Sequence, residues 1–223
     1  MSPSDVKRIV ERYESKLAIH GYSPESLCCG KGGRSEIRFG VMGEPILAKP
    51  ESSVLDVGCG FGDLFDYLRA RGWRGRYTGL DLVPGLLKVA RERHPELNFR
   101  QVTSVDDLDA LEKHDFVIAV STMNLRLENN GNEAYIKNFV SRMFKIANEA
   151  CMFDFQSTYV DFQNKMAWHT NPMWIMEFAN TLTHRLVLRA DYMPYEFCMC
   201  LYKETTKSER NVYTAAEAIY TRP

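Results

Sequence analysis

Val54-Leu-Asp-Val-Gly-Cys-Gly-Phe-Gly-Asp-Leu64 is the stretch on which the fold turns. Its first four residues read as a buried strand, Asp63 onward reads as a helix start, and Gly58, Gly60 and Gly62 fill the passage between them. Glycines there let the backbone turn tightly and lie close to a ligand, with the helix N-terminus beside it. Such a turn also occurs without a ligand, and two further features decide. Asp81 ends the next apolar run, nineteen residues beyond Gly62, where an open α/β sheet places an acid that accepts hydrogen bonds from ribose hydroxyls. The spacing is G-x-G-x-G followed by Asp63, not the G-x-G-x-x-G of a pyrophosphate-gripping turn. Asp63 would repel a diphosphate but tolerate a zwitterionic amino-acid tail, so the expected ligand is a nucleoside without phosphates.

Outward from this turn the chain alternates short apolar runs with amphipathic helices. The runs fall at 53–57, 76–80, 98–102, 116–120 and 151–155, with helices expected near 63–71, 84–94 and 132–147. The last of these carries Tyr135, Ile136, Phe139, Val140, Met143 and Ala147 on one face. Near-continuous apolar strands separated by helices predict a parallel sheet covered on both faces, an open doubly wound α/β fold. After a helix expected at 172–183 the alternation breaks. The runs 185–192 and 196–203 are separated by three residues, too few for a crossover helix, and must pair antiparallel. Before the turn, Ile9, Val10, Tyr13 and Leu17 fall at helical spacing up to Gly21, and Ile37, Val41, Ile46 and Leu47 form a second stripe up to Pro50. The expected organisation is a helical cap over residues 1–50, a ligand-binding domain over 51–204 and a polar tail over 205–223.

The 223 residues carry 28 Lys plus Arg against 29 Asp plus Glu, which opposes a nucleic-acid coat. No run approaches the roughly 20 apolar residues of a membrane span, and the start lacks the pattern of a signal peptide. The expectation is a cytoplasmic protein with no membrane partner. Six cysteines without paired CxxC spacing read as free thiols, and no metal site is expected. Aromatics at 12% and ten methionines exceed the ordinary share, and many gather between Met152 and Met199.

These residues resemble the class I S-adenosylmethionine (SAM)-dependent methyltransferases. Leu55-Asp-Val-Gly-Cys-Gly-Phe-Gly62 is similar to that family's first motif, Gly79-Leu-Asp-Leu82 to its second, and the closing antiparallel strand to its extra seventh strand. The resemblance covers about residues 50–203 and implies a Rossmann-like, mostly parallel seven-stranded sheet with SAM as cofactor. It implies that Asp56 and the turn Gly58, Gly60 and Phe61 hold the methionine end, Asp81 the ribose diol, and Leu82 the adenine face. The family often has an adenine-binding Asp near the stretch Thr103-Ser-Val-Asp-Asp107; here Ser104 with Val105 stands in its place. Arg38 is a candidate for gripping the methionine carboxylate with two parallel hydrogen bonds. Lys31 and Arg34, near it in sequence, read more readily as solvated cations.

Methyl transfer from a sulfonium is an in-line displacement, so the protein chiefly positions the acceptor and excludes water. The aromatic stretch from Asp154 to Trp174 is the expected acceptor wall, suited to a small, partly apolar molecule. Within it His169 and Tyr159 are the candidates for taking a proton, and Trp168 for lining the pocket. Tyr13 and Tyr22 of the cap are candidates for closing over the site, although Tyr13 equally fits its helix's apolar stripe. Ser121 and Asn124 follow the fourth strand at the carboxyl end of the sheet, where ligands bind, Ser121 toward the cofactor and Asn124 toward the acceptor. Ser121-Thr-Met-Asn124 stands where nucleic-acid amino methylases often read Asn/Asp-Pro-Pro-Tyr, which disfavours a nucleic-acid substrate. The reading is methyl transfer to a small molecule, in secondary-metabolite biosynthesis. SAM cyclisation to azetidine-2-carboxylate and methylthioadenosine remains an alternative, as does a non-catalytic SAM-binding regulatory module. Assembly is open between monomer and homodimer.

Overall fold

Ser2 starts the first helix, α1 (Pro3–His20), with a reciprocal cap: its hydroxyl accepts from the Asp5 amide while the Asp5 carboxylate accepts from the Ser2 amide. Proline takes the first helical position and Gly21 the stop, both as their backbone preferences require. Helix α2 (Arg34–Leu47) buries Met42 and Ile46 against Leu68 and Trp73. The computed structural model describes residues 1–28, 33–204, 212–214 and 216. Lys31, Cys29 and most of the expected tail lie outside the described residues.

From Val54 the order follows the expected alternation: β1 (Val54–Val57), α3 (Asp63–Arg69), β2 (Tyr77–Asp81), α4 (Pro84–Arg93), β3 (Asn98–Gln101), β4 (His114–Ala119), α5 (Asn132–Ile146) and β5 (Ala147–Ser157). Then come β6 (His169–Thr170), α6 (Pro172–Asn180), β7 (Leu186–Arg189) and β8 (Glu196–Tyr202). The sheet runs β3-β2-β1-β4-β5-β8-β7. The first five strands of that path pair parallel, and β8 lies antiparallel to both β5 and β7. The doubly wound seven-stranded path with an antiparallel last strand is therefore as expected. The two-residue β6, off that path on the end of β5, is an addition that periodicity could not reveal.

Both faces of the sheet are covered, which explains the unbroken apolar runs. Alternate residues of β4 and β5 go to opposite sides: Val117, Cys151, Phe153 and Phe155 pack under α5 and α6, while Phe116, Ile118, Ala150 and Met152 face α2, α3 and α4. Cys198 joins the second group with Cys200 packed against it, so the two share a face as their spacing predicts. Strand order reverses between β1 and β4, and the crevice at the carboxyl ends of the strands opens there. No helix among the described residues is long and apolar enough to cross a membrane.

Candidate functional site

The turn after β1 is held by its neighbours. The amides of Gly58 and Cys59 both donate to the Leu80 carbonyl, at 2.7 and 2.9 Å. The Gly60 amide donates to one oxygen of Asp81 at 2.8 Å, and the Val83 amide to the other at 2.9 Å. Asp81 thus ties the glycine turn to the loop after β2. Gly58 has φ of +82°, and a Cβ there would lie 2.5 Å from the Thr122 hydroxyl oxygen, so conformation and space both require glycine. Asp56, beneath the turn, accepts from the Tyr77 hydroxyl at 2.6 Å. Burial pushes its carboxyl up to about 7, with the Tyr77 hydrogen bond opposing and the charge of Asp81 adding. Burial raises Asp81 as well, against its backbone hydrogen bonds.

These residues border a cleft of about 1320 Å³, part of it open to solvent. It brings together Asp56, Gly58, Gly60, Asp81, Leu82, Ser104, Val105, Ser121 and Tyr13 from the residues singled out in the sequence. Ser104 caps the turn that carries Val105, its hydroxyl accepting from the Asp106 amide at 3.1 Å. Sequence reasoning missed Ile9 of α1, Leu27, Phe39 of α2, Thr122, Leu127, and Tyr135 and Phe139 of α5. For α5 a signal existed: Tyr135 and Phe139 were visible on its apolar stripe, which faces the cleft at its N-terminal end and the core beyond it. Leu27 carried none, since its place follows from packing over Gly60, whose Cβ would meet it at 3.0 Å.

Other expected site residues lie elsewhere. Arg38 does not border the cleft. Its Nε and Nη2 donate to the two carboxylate oxygens of Glu196 at 2.8 and 2.6 Å, and Asp154 lies 3.5 Å away, so this guanidinium serves the protein's own carboxylates. His169 has both ring nitrogens engaged: Nδ1 donates to the Ser157 carbonyl at 2.8 Å and Nε2 accepts from the Asn164 amide at 3.2 Å. Those contacts brace the loop before β6. Tyr159 is 65% exposed and away from the cleft. Trp168 packs on the main core with Arg126 over its ring at 5.3 Å. The Asn124 side chain accepts from the Gln156 amide at 3.0 Å. Phe61 is buried against Val83 and Leu86, with Tyr22 edge-on at 5.0 Å. Tyr22 donates to Asp63 at 2.8 Å under the Arg93 guanidinium; burial, with the Asp63 carboxylate adding, pushes its hydroxyl up to about 12. Arg34 is exposed.

Two sequence arguments change with this geometry. Asp63 pairs with Arg93 at 2.7 Å, so its repulsion of a diphosphate is weaker than the sequence suggested. The aromatic wall expected between Asp154 and Trp174 contributes no residue to the cleft. Phe153 and Phe155 lie fully buried beneath α5 and α6, and Phe162 and Met166 point outward.

A methyltransferase-domain family model matches residues 54–146, the span that holds the turn, Asp81 and the loops after β3 and β4. The match and the relatives that follow support a SAM-dependent methyltransferase of the class I type. A Mycobacterium tuberculosis protein named as a methyltransferase is 28% identical over 160 residues, which is 68% of this chain and 93% of that one. The ubiquinone biosynthesis O-methyltransferase of Nitrosomonas europaea is 32% identical over 135 residues, covering 59% of this chain and 55% of its own. Among solved structures, the magnesium protoporphyrin IX methyltransferase of Synechocystis with bound S-adenosylhomocysteine superposes with a TM-score of 0.60 at 16% identity. That alignment covers 89% of this chain and 99% of the other. SAM is the cofactor such a methyltransferase uses, and the cleft has features that suit it: a turn that only glycine fits, an acid at the end of β2, and the buried carboxyl groups of Asp56 and Asp81 on its border.

Proposed function

We propose that this methyltransferase acts on a small, largely apolar acceptor held between α1, α5 and the loop after β4. The observation that carries the reading is the composition of the cleft away from the glycine turn. Ile9, Tyr13, Leu125, Leu127, Tyr135 and Phe139 border it, and none of the described bordering residues is Lys, Arg or His. A nucleic-acid substrate would need cations for its phosphates, and a strongly charged acceptor would need a counter-ion. Relatives whose names specify ubiquinone biosynthesis and magnesium protoporphyrin IX favour a small molecule too.

The residue roles follow from position. Asp81, already holding two backbone amides, would take the ribose diol; Leu82 and Val105 would sandwich the adenine; Asp56 and the turn would hold the methionine end. SAM supplies the electrophilic methyl group when bound. The chain's own part is orientation and exclusion of water, with Tyr13 and Phe39 of the cap closing the open side. None of the described residues bordering the acceptor space is a histidine, so in this reading the acceptor arrives with a nucleophile that needs little help in losing its proton, or loses it to water. Residues 1–50 act as the cap and 51–204 as the cofactor domain in this reading. The cap is anchored where Arg8 donates to the Arg126 carbonyl at 2.7 Å and the Glu128 amide donates to Asp5 at 3.0 Å. A cytoplasmic, biosynthetic role with no nucleic-acid or membrane partner belongs to the same proposal.

Incubating the protein with SAM, alone and with pools of apolar acceptors, tests it. S-adenosylhomocysteine formed only with an acceptor is the expected result. Methylthioadenosine formed from SAM alone would replace the reading with SAM cyclisation, and SAM binding without turnover would replace it with a regulatory module.

A further inference from the structure

Arg38, Glu196 and Asp154 form a buried charged cluster next to Ser121, and each member is at most 8% exposed. Taking three charged groups out of water is costly unless each is held by partners of good geometry, and a cluster of this kind fixes one arrangement rather than adding much stability. Arg38 lies between Ser35 and Phe39 of α2, both of which border the cleft, and it grips Glu196 with two parallel hydrogen bonds. Asp154 faces that guanidinium with Oδ2, while its Oδ1 accepts from the Ser121 amide at 2.5 Å. Ser121 has φ of +58°, a left-handed conformation that a side-chain-bearing residue keeps only when its surroundings impose it. The next residue, Thr122, donates from its hydroxyl to the Val57 carbonyl at 3.0 Å and lies against Gly58.

We infer that Asp154, set in place by Arg38 and Glu196, is a positioning residue: it imposes the left-handed turn at Ser121 and so seats Thr122 against the cofactor turn. The continuous path is Arg38 and Glu196 to Asp154, Asp154 to the Ser121 amide, and Thr122 to Val57 and Gly58. None of the three charged residues needs to touch SAM. The same cluster docks α2 on β8, so the cap wall and the floor of the cofactor site are set by one group of charges. The inference builds on the assignment of SAM to this cleft, and wild-type binding of S-adenosylhomocysteine checks that assignment by itself.

The test is a double-mutant cycle read by calorimetric titration of S-adenosylhomocysteine, with circular dichroism melting on each variant. Glycine takes φ above zero without strain, so it no longer needs Asp154 to hold it there. Asp154→Ala is expected to weaken binding about tenfold in the wild-type background and by less than about twofold in a Ser121→Gly background. If Asp154→Ala does not fold, Glu196→Gln is run through the same cycle; about a threefold loss, absent in the Ser121→Gly background, is expected. A role confined to stability would lower the melting temperature while leaving the cycle additive. Equal losses in both backgrounds, or no loss from either substitution, would overturn the inference.

Discussion

The loops after β1 to β4 and the loops after β5 to β8 leave the same sheet, yet every strand-derived residue bordering the cleft comes from the first set. The first set is tied by backbone geometry, with glycines at positive φ, Asp81 across two amides, and Ser121 in a left-handed turn. The second set is richer in aromatics, and its described aromatic side chains either fill the core or face outward. Richness in aromatics therefore marks the half of the sheet that needs filling on its covered face, while close backbone approach marks the half that borders the cleft.

Breaking the first half should cost most. Gly58→Val adds atoms where even a Cβ would lie 2.5 Å from Thr122, at a φ that valine avoids, and S-adenosylhomocysteine binding should fall more than about 100-fold in a calorimetric titration. Asp81→Ala should weaken the same binding by about 1–3 kcal/mol, the range for lost hydrogen bonds to a charged group. Retained affinity would break the ribose assignment.

The Asp56 carboxyl is raised from 3.8 to about 7, chiefly by burial. Between those values the unfolded chain gives up its proton while the folded one keeps it. Stability from this group is thus fully present below pH 3.8 and lost as pH rises to about 7. Chemical denaturation of wild type and Asp56→Asn across pH 4.5–7.5 should differ by a slope on the order of 1 kcal/mol per pH unit, with the asparagine variant lacking the decline.

The second half should respond least. His169→Ala and Tyr159→Phe should leave turnover within about twofold of wild type. The histidine variant should lose about 1–2 kcal/mol of stability, because two loop hydrogen bonds go unmade. A large fall in turnover with unchanged stability would return His169 to the chemistry.

This contrast also explains how much could be read beforehand. The fold was legible because alternation and glycine turns act locally: Gly21 and the turn at Gly58 each announce a boundary through their own backbone preferences. The cleft residues Asp56, Gly58, Gly60 and Asp81 were legible for the same reason, since they sit at strand ends fixed by that alternation. Arg38 was not, because its partner Glu196 lies 158 residues away and only the fold brings them together. Tyr135, Phe139 and Leu27 escaped for a related reason: their side chains look like core, and only the position of the cleft shows which part of an apolar stripe faces a ligand. The stretch from Asp154 to Trp174 misled because composition alone does not say on which side of a strand a side chain lies.

The most direct test is a crystal structure of the protein with S-adenosylhomocysteine. The account predicts the ribose hydroxyls on Asp81, the adenine between Leu82 and Val105, and the homocysteine sulfur facing the space bordered by Tyr13, Leu127 and Tyr135. A ligand whose sulfur instead faces Tyr159, Trp168 and His169 would contradict it.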